Sequence, residues 1–236
     1  MRLYLASTSP ARLATLRAAG IEPILLASGV DEDAAVAAAG PLTGPETVLL
    51  LARLKAEAVT GRLVDGEPID GFILGGDSAF EIDGTIYGKP HEPAVARERW
   101  QRQRGREGQL HSGHWLIDHR ATTLPATAPP PEATPLPEAT PLPEALEGNV
   151  PHAVGGVSTA TVRFADNISD AEIDAYVATG EPLEVAGAFT IDSLGGAFIS
   201  EVRGDPHAVV GLSLALTREL LLQFGVAWPE FWNRGL

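Results

Sequence analysis

Cysteine is absent from this sequence of 236 residues. Its absence excludes a disulfide framework, a thiolate metal site and a cysteine nucleophile. The sequence also lacks an apolar run of membrane-spanning length, and the apolar run within residues 1–6 is too short for a signal peptide. We therefore expect a protein that has no membrane partner and whose default compartment is the cytoplasm.

Basic residues are scarce as well. Lysine and arginine together number 17 against 31 aspartates and glutamates, which gives a formal net charge of −14. Because a surface of this sign repels phosphate backbones, the composition argues against a nucleic-acid partner. A small phosphorylated ligand stays compatible with this charge where the few basic residues converge.

Three common motifs of phosphate-binding or hydrolytic proteins are missing too. The sequence contains no GxxxxGK[ST] loop, no GxGxxG after a strand and no GxSxG elbow. Any phosphate chemistry therefore has to come from another arrangement of residues.

The first organised stretch is an N-terminal strand followed by a helix. Residues 3–6 are typical of a strand, Ser9 is a good helix N-cap, Pro10 suits the first helical position and Gly20 supplies a stop. The N-terminus of such a helix is a ready anion site, because free N–H groups and the helix dipole point outward. Arg12, one turn into the helix, adds a positive charge. An ordinary strand-to-helix connection is the alternative interpretation.

A second strand and a long helix come next. We predict an edge strand over residues 21–26, an acidic turn over residues 28–33 and a helix from residue 43 to residue 59. Lys55 lies close to the apolar side of this helix. It is either a snorkelling lysine, whose stem covers the core, or a functional cation.

Asp77 lies at the end of the next predicted strand, residues 72–78. Ligand sites of α/β sheets gather at the carboxyl ends of strands, so this acid is well placed for function. Capping of a backbone N–H is the alternative role for Asp77.

An Asp-Gly pair within residues 80–87 predicts a two-residue hairpin turn. The hairpin returns Lys89 towards Asp77, and we expect an acid and an ammonium to face each other across it.

The rest of the chain alternates helices and strands around one unusual segment. Residues 121–150 contain eight prolines and a near-perfect repeat of EATPLP, which predicts an extended or disordered insertion within a single domain over residues 1–236.

His111 and His114 lie on opposite faces of a predicted strand, which argues against a shared metal. The other predicted elements are a basic solvated helix at 93–104, strands at 109–118, 157–164 and 197–202, a helix opened by a capping box at 169–172 and a final helix to residue 224.

The residues thus predict an α/β protein with acids and bases at the ends of its regular elements. The acids are Glu32, Asp77 and Asp192, and the bases are Arg12, Lys55 and Lys89. Such a set suits phosphate chemistry, because cations neutralise phosphates while carboxylates hold a divalent cation and activate water.

Several motifs, in order along both halves of the chain, resemble those of the Maf family of nucleotide pyrophosphatases. They are LASTSPAR at 5–12, SGVDE at 28–32, LARLKA at 51–56, GGDS at 75–78, GKP at 88–90, AGAF at 186–189, the glycine pair at 195–196 and VVGL at 209–212. Each motif alone is weak evidence, whereas the ordered set covers nearly everything except the proline-rich segment and the tail.

This resemblance implies a mixed twisted β-sheet flanked by helices, arranged as two lobes with a central cleft. It also implies a cytoplasmic homodimer that hydrolyses a nucleoside triphosphate between its α and β phosphates. The products would be a nucleoside monophosphate and pyrophosphate, the cofactor would be Mg²⁺ or Mn²⁺, and removal of non-canonical nucleotides would be one use of the reaction.

The resemblance further implies roles for single residues. Asp77 would be the general base or metal-linked acid, and Glu32 would support the cation beside it. The groups that hold the phosphates would be Ser7, Arg12, Lys55 and Lys89. The substrate-binding set would be completed by Ser78 and Asp192.

Two positions depart from the family pattern. Ala11 stands in place of the first arginine of the SPRR motif, and Asp192 stands where glutamine or glutamate is common. Both positions concern the choice of base, so canonical pyrimidine, methylated and modified purine triphosphates all stay open. Two other functions stay open as well, a non-catalytic nucleotide-binding regulator of cell division and a phosphatase that removes terminal phosphates.

Overall fold

The computed structural model of the protein describes residues 1–120 and 153–234, so the predicted insertion at 121–150 lies outside the described residues. No helix in these two ranges is both long and apolar enough to cross a membrane. The strands are β1 (Leu3–Ala6), β2 (Ile24–Leu25), β3 (Leu63–Val64), β4 (Glu67–Pro68), β5 (Phe72–Ile82), β6 (Thr85–Tyr87), β7 (Glu107–Asp118), β8 (Ala153–Phe164) and β9 (Ile199–Arg203). The α-helices are α1 (Pro10–Ala18), α2 (Glu32–Ala39), α3 (Gly44–Glu57), α4 (Pro93–Gln103), α5 (Asp170–Ala178), α6 (Pro206–Val210) and α7 (Leu214–Gln223).

Most strands belong to one mixed sheet. Its order is β2-β1-β5-β7-β8-β9, with β6 also paired to β5, whereas β3 and β4 form a separate two-stranded sheet. β1 runs parallel to β2 and β5, and the other pairs of the large sheet are antiparallel. The predicted mixed sheet with helices packed against it is confirmed. β2 lies at the edge, as predicted, although it is only two residues long.

Two strands share one edge of β5. β1 pairs with residues 72–75 of β5, and β6 pairs with residues 80–82 on the same edge, opposite β7. Among the described residues, no strand pairs with residues 76–79 there. We call this interruption, residues 76–79 of β5, the edge window. It places Asp77 and Ser78 between the end of β1 and the end of β6.

The strand that carries Asp77 is longer than predicted. β5 continues to Ile82 and pairs with β7 from Phe72 to Glu81. The prediction that Asp77 lies at the end of a strand is therefore wrong, because this long antiparallel pairing outweighs the two preceding glycines. What ends beside Asp77 is the neighbouring strand β1.

Two glycines allow α3 to approach the sheet closely. A Cβ atom at Gly75 would lie 2.0 Å from the carbonyl oxygen of Ala52, and one at Gly113 would lie 2.3 Å from that of Val48. Only glycine leaves room for helix backbone at such a distance. The predicted apolar side of α3 therefore packs on β5 and β7, with Lys55 among its buried residues.

The apolar core consists of three clusters. Near β1, the alternation of strand side chains sends Leu3 and Leu5 into one cluster and Tyr4 and Ala6 into another. The third cluster lies at the other end of β5 and includes Phe80, Trp100, Phe164, Tyr176 and Phe189. The clusters thus lie on either side of the edge window along β5.

The acidic turn and the C-terminal tail both contain ordered structure. In the acidic turn, Asp31 caps α2 by accepting a hydrogen bond from the Ala34 N–H at 3.0 Å, so that Glu32 begins a helix. In the tail, Phe231 is fully buried, and its ring lies 5.8 Å from that of Phe72. The tail therefore packs on its own chain.

Candidate active site

The turn after β1 forms as predicted. Ser9 Oγ accepts a hydrogen bond from the Arg12 N–H at 3.4 Å, and Pro10 is the first residue of α1. Ser7 Oγ accepts a hydrogen bond from the Ser9 N–H at 3.1 Å. Because β1 ends here, the turn and the N-terminus of α1 lie at the beginning of the edge window.

Arg12 links three separate segments of the chain. Its Nη1 donates to Ser7 Oγ at 3.1 Å, its Nη2 donates to Ser78 Oγ at 2.9 Å and its Nε donates to the Gly211 carbonyl oxygen at 2.8 Å. Gly211 has a φ of 109°, a conformation that favours glycine. The guanidinium is buried, and it joins the turn after β1, the edge window and the turn between α6 and α7.

Lys55 bridges two carboxylates. Its Nζ lies 2.6 Å from Asp77 Oδ1 and 2.7 Å from Glu32 Oε1. The side chains of Lys55 and Asp77 are only 9% and 12% exposed, whereas that of Glu32 is 51% exposed. The interpretation of Lys55 as a snorkelling lysine is therefore wrong, because its ammonium lies inside the protein in ion pairs.

Burial perturbs the charged groups of this cluster. Burial raises the pKa of Asp77 above its ordinary value, and the charges of Lys55 and Arg12 oppose that change. Burial also lowers the pKa of Arg12, against the charges of Asp77 and Glu32. A carboxylate with a raised pKa is a better proton acceptor, so Asp77 is suited to take a proton from water.

Two carboxylate oxygens remain available to a cation. Asp77 and Glu32 each use one oxygen on Lys55, and no donor of the described residues contacts Asp77 Oδ2 or Glu32 Oε2. In the described part of the chain, no three or more acidic or histidine side chains lie close enough together to hold a metal ion by themselves. Mg²⁺ is commonly bound by one or two carboxylates together with substrate phosphates and water. The donor set therefore fits a divalent cation that binds with a phosphorylated substrate.

The structure brings six of the predicted site residues together. They are Ser7, Arg12, Glu32, Lys55, Asp77 and Ser78. The remaining two, Lys89 and Asp192, are exposed and have no hydrogen bond or ion pair within the described parts of the chain. The expected pair across the hairpin does not form, because the ammonium that contacts Asp77 belongs to Lys55. Lys89 follows β6 at the far end of the edge window.

Sequence reasoning missed a polar layer beneath Ser78. Ser78 Oγ lies 3.0 Å from Ser112 Oγ, which donates to the Ala208 carbonyl oxygen at 2.7 Å. His114 Nε2 accepts a hydrogen bond from the Ser213 N–H at 2.9 Å, and its Nδ1 lies 3.1 Å from the Ser112 carbonyl oxygen. Ser112 and His114 share a face of β7, and their spacing of two residues is the signal that could have identified this layer.

His114 supports a prediction about pH and stability. Burial, with the charge of Arg12 as a smaller second cause, lowers the pKa of His114 to about 4. Between this value and the unfolded value near 6.5, the unfolded chain binds more protons, so stability falls as the pH falls. We expect His114 to lower the free energy of unfolding by about 2 kcal/mol between pH 7 and pH 5.

Urea unfolding at pH 7 and pH 5 measures this effect. The loss of stability on acidification should be about 2 kcal/mol smaller for His114→Gln than for the wild type. His91→Gln, at an exposed histidine, is the control and should lose as much as the wild type. Equal losses for all three proteins would contradict the assignment to His114.

The mixed sheet and its edge window define an α/β protein in which the buried Lys55 joins two carboxylates and the buried Arg12 lies at the N-terminus of α1. A model of the Maf family, described as Maf-like protein, matches residues 2–224. The chain therefore belongs to the Maf family.

Curated relatives match nearly the whole chain. A protein of Leifsonia xyli subsp. xyli, named nucleoside triphosphate pyrophosphatase, is 61% identical over 99% of this chain and 98% of its own length. Proteins with the same name from Salinispora tropica and Saccharopolyspora erythraea are 46% and 43% identical, over 100% and 99% of this chain and 89% and 98% of their own lengths.

Proposed function

We propose that the protein hydrolyses a nucleoside triphosphate between the α and β phosphates, releasing a nucleoside monophosphate and pyrophosphate. The observation that carries this proposal is the pair of carboxylates, Asp77 and Glu32, on the buried ammonium of Lys55. The names of the curated relatives support it. They also make a non-catalytic regulator of cell division the less favoured alternative.

Asp77 is the proposed general base. Its carboxylate takes a proton from the water that attacks the α phosphorus, while the bond from that phosphorus to the bridging oxygen breaks and pyrophosphate leaves with the electron pair. Desolvation supports this role, because it raises the pKa of Asp77 and so strengthens the carboxylate as a proton acceptor. Lys55 keeps the carboxylate ionised and oriented.

The positive groups around the edge window are the proposed phosphate ligands. Arg12 uses three of its five N–H donors on Gly211, Ser7 and Ser78, which leaves donors for a phosphate oxygen. Lys89 is exposed and free to turn towards the leaving pyrophosphate.

Asp77 and Glu32 would hold a divalent cation, Mg²⁺ or Mn²⁺, through their oxygens that do not contact Lys55. Such an ion neutralises phosphate charge and polarises the phosphoryl oxygens. Glu32 suits this role because its exposed position at the start of α2 is open to solvent and substrate.

The proposal extends to the assembly and location of the protein. We expect residues 1–236 to form a single domain and the protein to act as a cytoplasmic homodimer, as the resemblance to the family implies. Light scattering of the purified full-length chain measures the mass of the assembly. A mass of one chain, 24.8 kDa, at working concentration would contradict the dimer.

Product analysis tests the proposed function. The purified protein is incubated with common, methylated and modified nucleoside triphosphates and with Mg²⁺ or Mn²⁺, and pyrophosphate is distinguished from orthophosphate. We expect a monophosphate and pyrophosphate in equal amounts. Orthophosphate with a diphosphate would indicate a terminal phosphatase, and binding without turnover would indicate the regulator.

A further inference from the structure

The segment from residue 186 to residue 195 is held at its beginning by α4. Trp100 Nε1 donates to the Ala188 carbonyl oxygen at 2.7 Å, and Gln103 Nε2 donates to the Gly187 carbonyl oxygen at 2.8 Å. A Cβ atom at Gly187 would lie 2.6 Å from the ring of Phe80, the residue of β5 that borders the edge window. The segment therefore starts in tight contact with the strand that carries Asp77.

The end of the same segment is held by one carboxylate, that of Glu181. Oε1 accepts hydrogen bonds from Tyr176 Oη at 2.9 Å, Thr190 Oγ1 at 2.5 Å and the Gly195 N–H at 3.0 Å. Oε2 accepts from Ser193 Oγ at 2.7 Å and from the Leu194 N–H at 3.2 Å. Four of these five donors belong to residues 190–195, which we call the 190–195 loop.

The Glu181 carboxylate is ionised near neutral pH. Burial alone would raise its pKa, but the hydrogen bonds from Thr190, Ser193, Gly195 and Tyr176 outweigh burial and lower the pKa to about 2. An ionised acceptor forms stronger hydrogen bonds than a neutral one. The loop is thus anchored by charge-assisted bonds to its backbone and to its hydroxyl groups.

The anchored loop presents two side chains outward. Asp192 is exposed without a partner among the described residues, and Leu194 is 56% exposed. Because the backbone of the loop is already fixed, less entropy is lost in ordering the loop when a ligand binds. A hydrogen-bond acceptor next to an apolar side chain suits a flat heterocycle, whose edge carries N–H donors and whose face is apolar.

We propose that Glu181 is a positioning residue for base selection, which fixes the 190–195 loop so that Asp192 and Leu194 contact the nucleobase. This inference rests on the proposed function in that the ligand is a nucleoside triphosphate. It adds a residue outside the edge window that acts through the loop and contacts neither the phosphates nor the reacting atoms.

Calorimetric binding of non-hydrolysable triphosphates tests the proposal without turnover. The probes are α,β-imido triphosphates that share the phosphates and differ in the base, each measured with Mg²⁺. For Glu181→Gln, we expect the ratio of Kd values between the poorest and the best base to fall by about 5-fold or more. Glu184→Gln is the matched control, because Glu184 ends the short 3-10 helix that begins at Glu181 (Glu181–Glu184) and its side chain is exposed.

Hydrogen exchange measures the anchor itself. The amides of residues 194 and 195 should exchange about 10-fold faster in Glu181→Gln, because both donate to the carboxylate in the wild type. If Glu181→Gln does not fold, Ser193→Ala removes a single bond to Oε2 and should reduce base discrimination by a smaller factor.

The outcomes separate this inference from the proposed function. Wild-type discrimination in a folded Glu181→Gln protein with accelerated exchange would overturn the inference. Equal affinity of the wild type for all bases, or no binding at all, would overturn it too. If the wild type selects among the analogues but releases no pyrophosphate from hydrolysable triphosphates, the proposed function fails and the role of Glu181 stands.

Discussion

Replacement of Asp77 by asparagine should lower the turnover number by about 10²–10⁴-fold, the usual contribution of a positioned general base. Asparagine has nearly the shape of aspartate, and its oxygen can still accept the hydrogen bond from Lys55 Nζ, which measures 2.6 Å in the wild type. The fold should therefore survive while the proton acceptor is lost. Pyrophosphate release at saturating triphosphate measures the effect.

Asp83→Asn is the matched control for this substitution. It makes the same chemical change in the exposed hairpin turn at the end of β5, where Asp83 has a φ of 51° that asparagine also adopts. We expect its turnover to stay within a factor of two of the wild type, since surface changes of this kind have small effects. Turnover of Asp77→Asn within a few-fold of the wild type would remove Asp77 from the mechanism.

Replacement of Lys55 by methionine should lower the free energy of unfolding at pH 7 by about 3–5 kcal/mol. The stem of the side chain is retained, but the Asp77 carboxylate, 12% exposed, loses the closest of its positive partners. Breaking a buried ion pair on one side costs more than removing both charges, because the remaining charge stays buried without compensation. Urea denaturation followed by circular dichroism measures the change.

Two further variants test whether the loss of stability comes from the unpaired carboxylate of Asp77. The double variant Lys55→Met/Asp77→Asn should be more stable than Lys55→Met alone, because a neutral amide needs no counterion. Lys89→Met changes an exposed lysine and should shift the free energy of unfolding by no more than about 0.5 kcal/mol. If Lys55→Met were as stable as the wild type, the ion pair would not contribute to the free energy of unfolding.

The loss of stability caused by Lys55→Met should also become smaller as the pH falls. Burial already raises the pKa of Asp77, and loss of the ammonium raises it further. As the pH falls through this raised pKa, the carboxyl becomes neutral and no longer needs a counterion. The difference in stability between the wild type and Lys55→Met should therefore shrink on acidification.

Local signals in the sequence were enough to predict the elements that depend on near neighbours in the chain. The Ser9-Pro10 start of α1, the Asp-Gly hairpin turn and the capping box at Ser169 all formed as predicted. Each of these signals acts within about four residues, so no tertiary contact is needed to interpret it. The ordered motifs, which are also local, were sufficient to identify the Maf family.

Contacts between distant groups depend on how the whole chain packs. The edge window exists because β1 and β6 end at different points along the same edge of β5, and a register of this kind has no local signal. The same holds for the choice of Lys55 over Lys89 as the partner of Asp77, which follows from the close approach of α3 over Gly75. Burial then sets the pKa of Asp77, and burial is a property of the packed chain rather than of any segment.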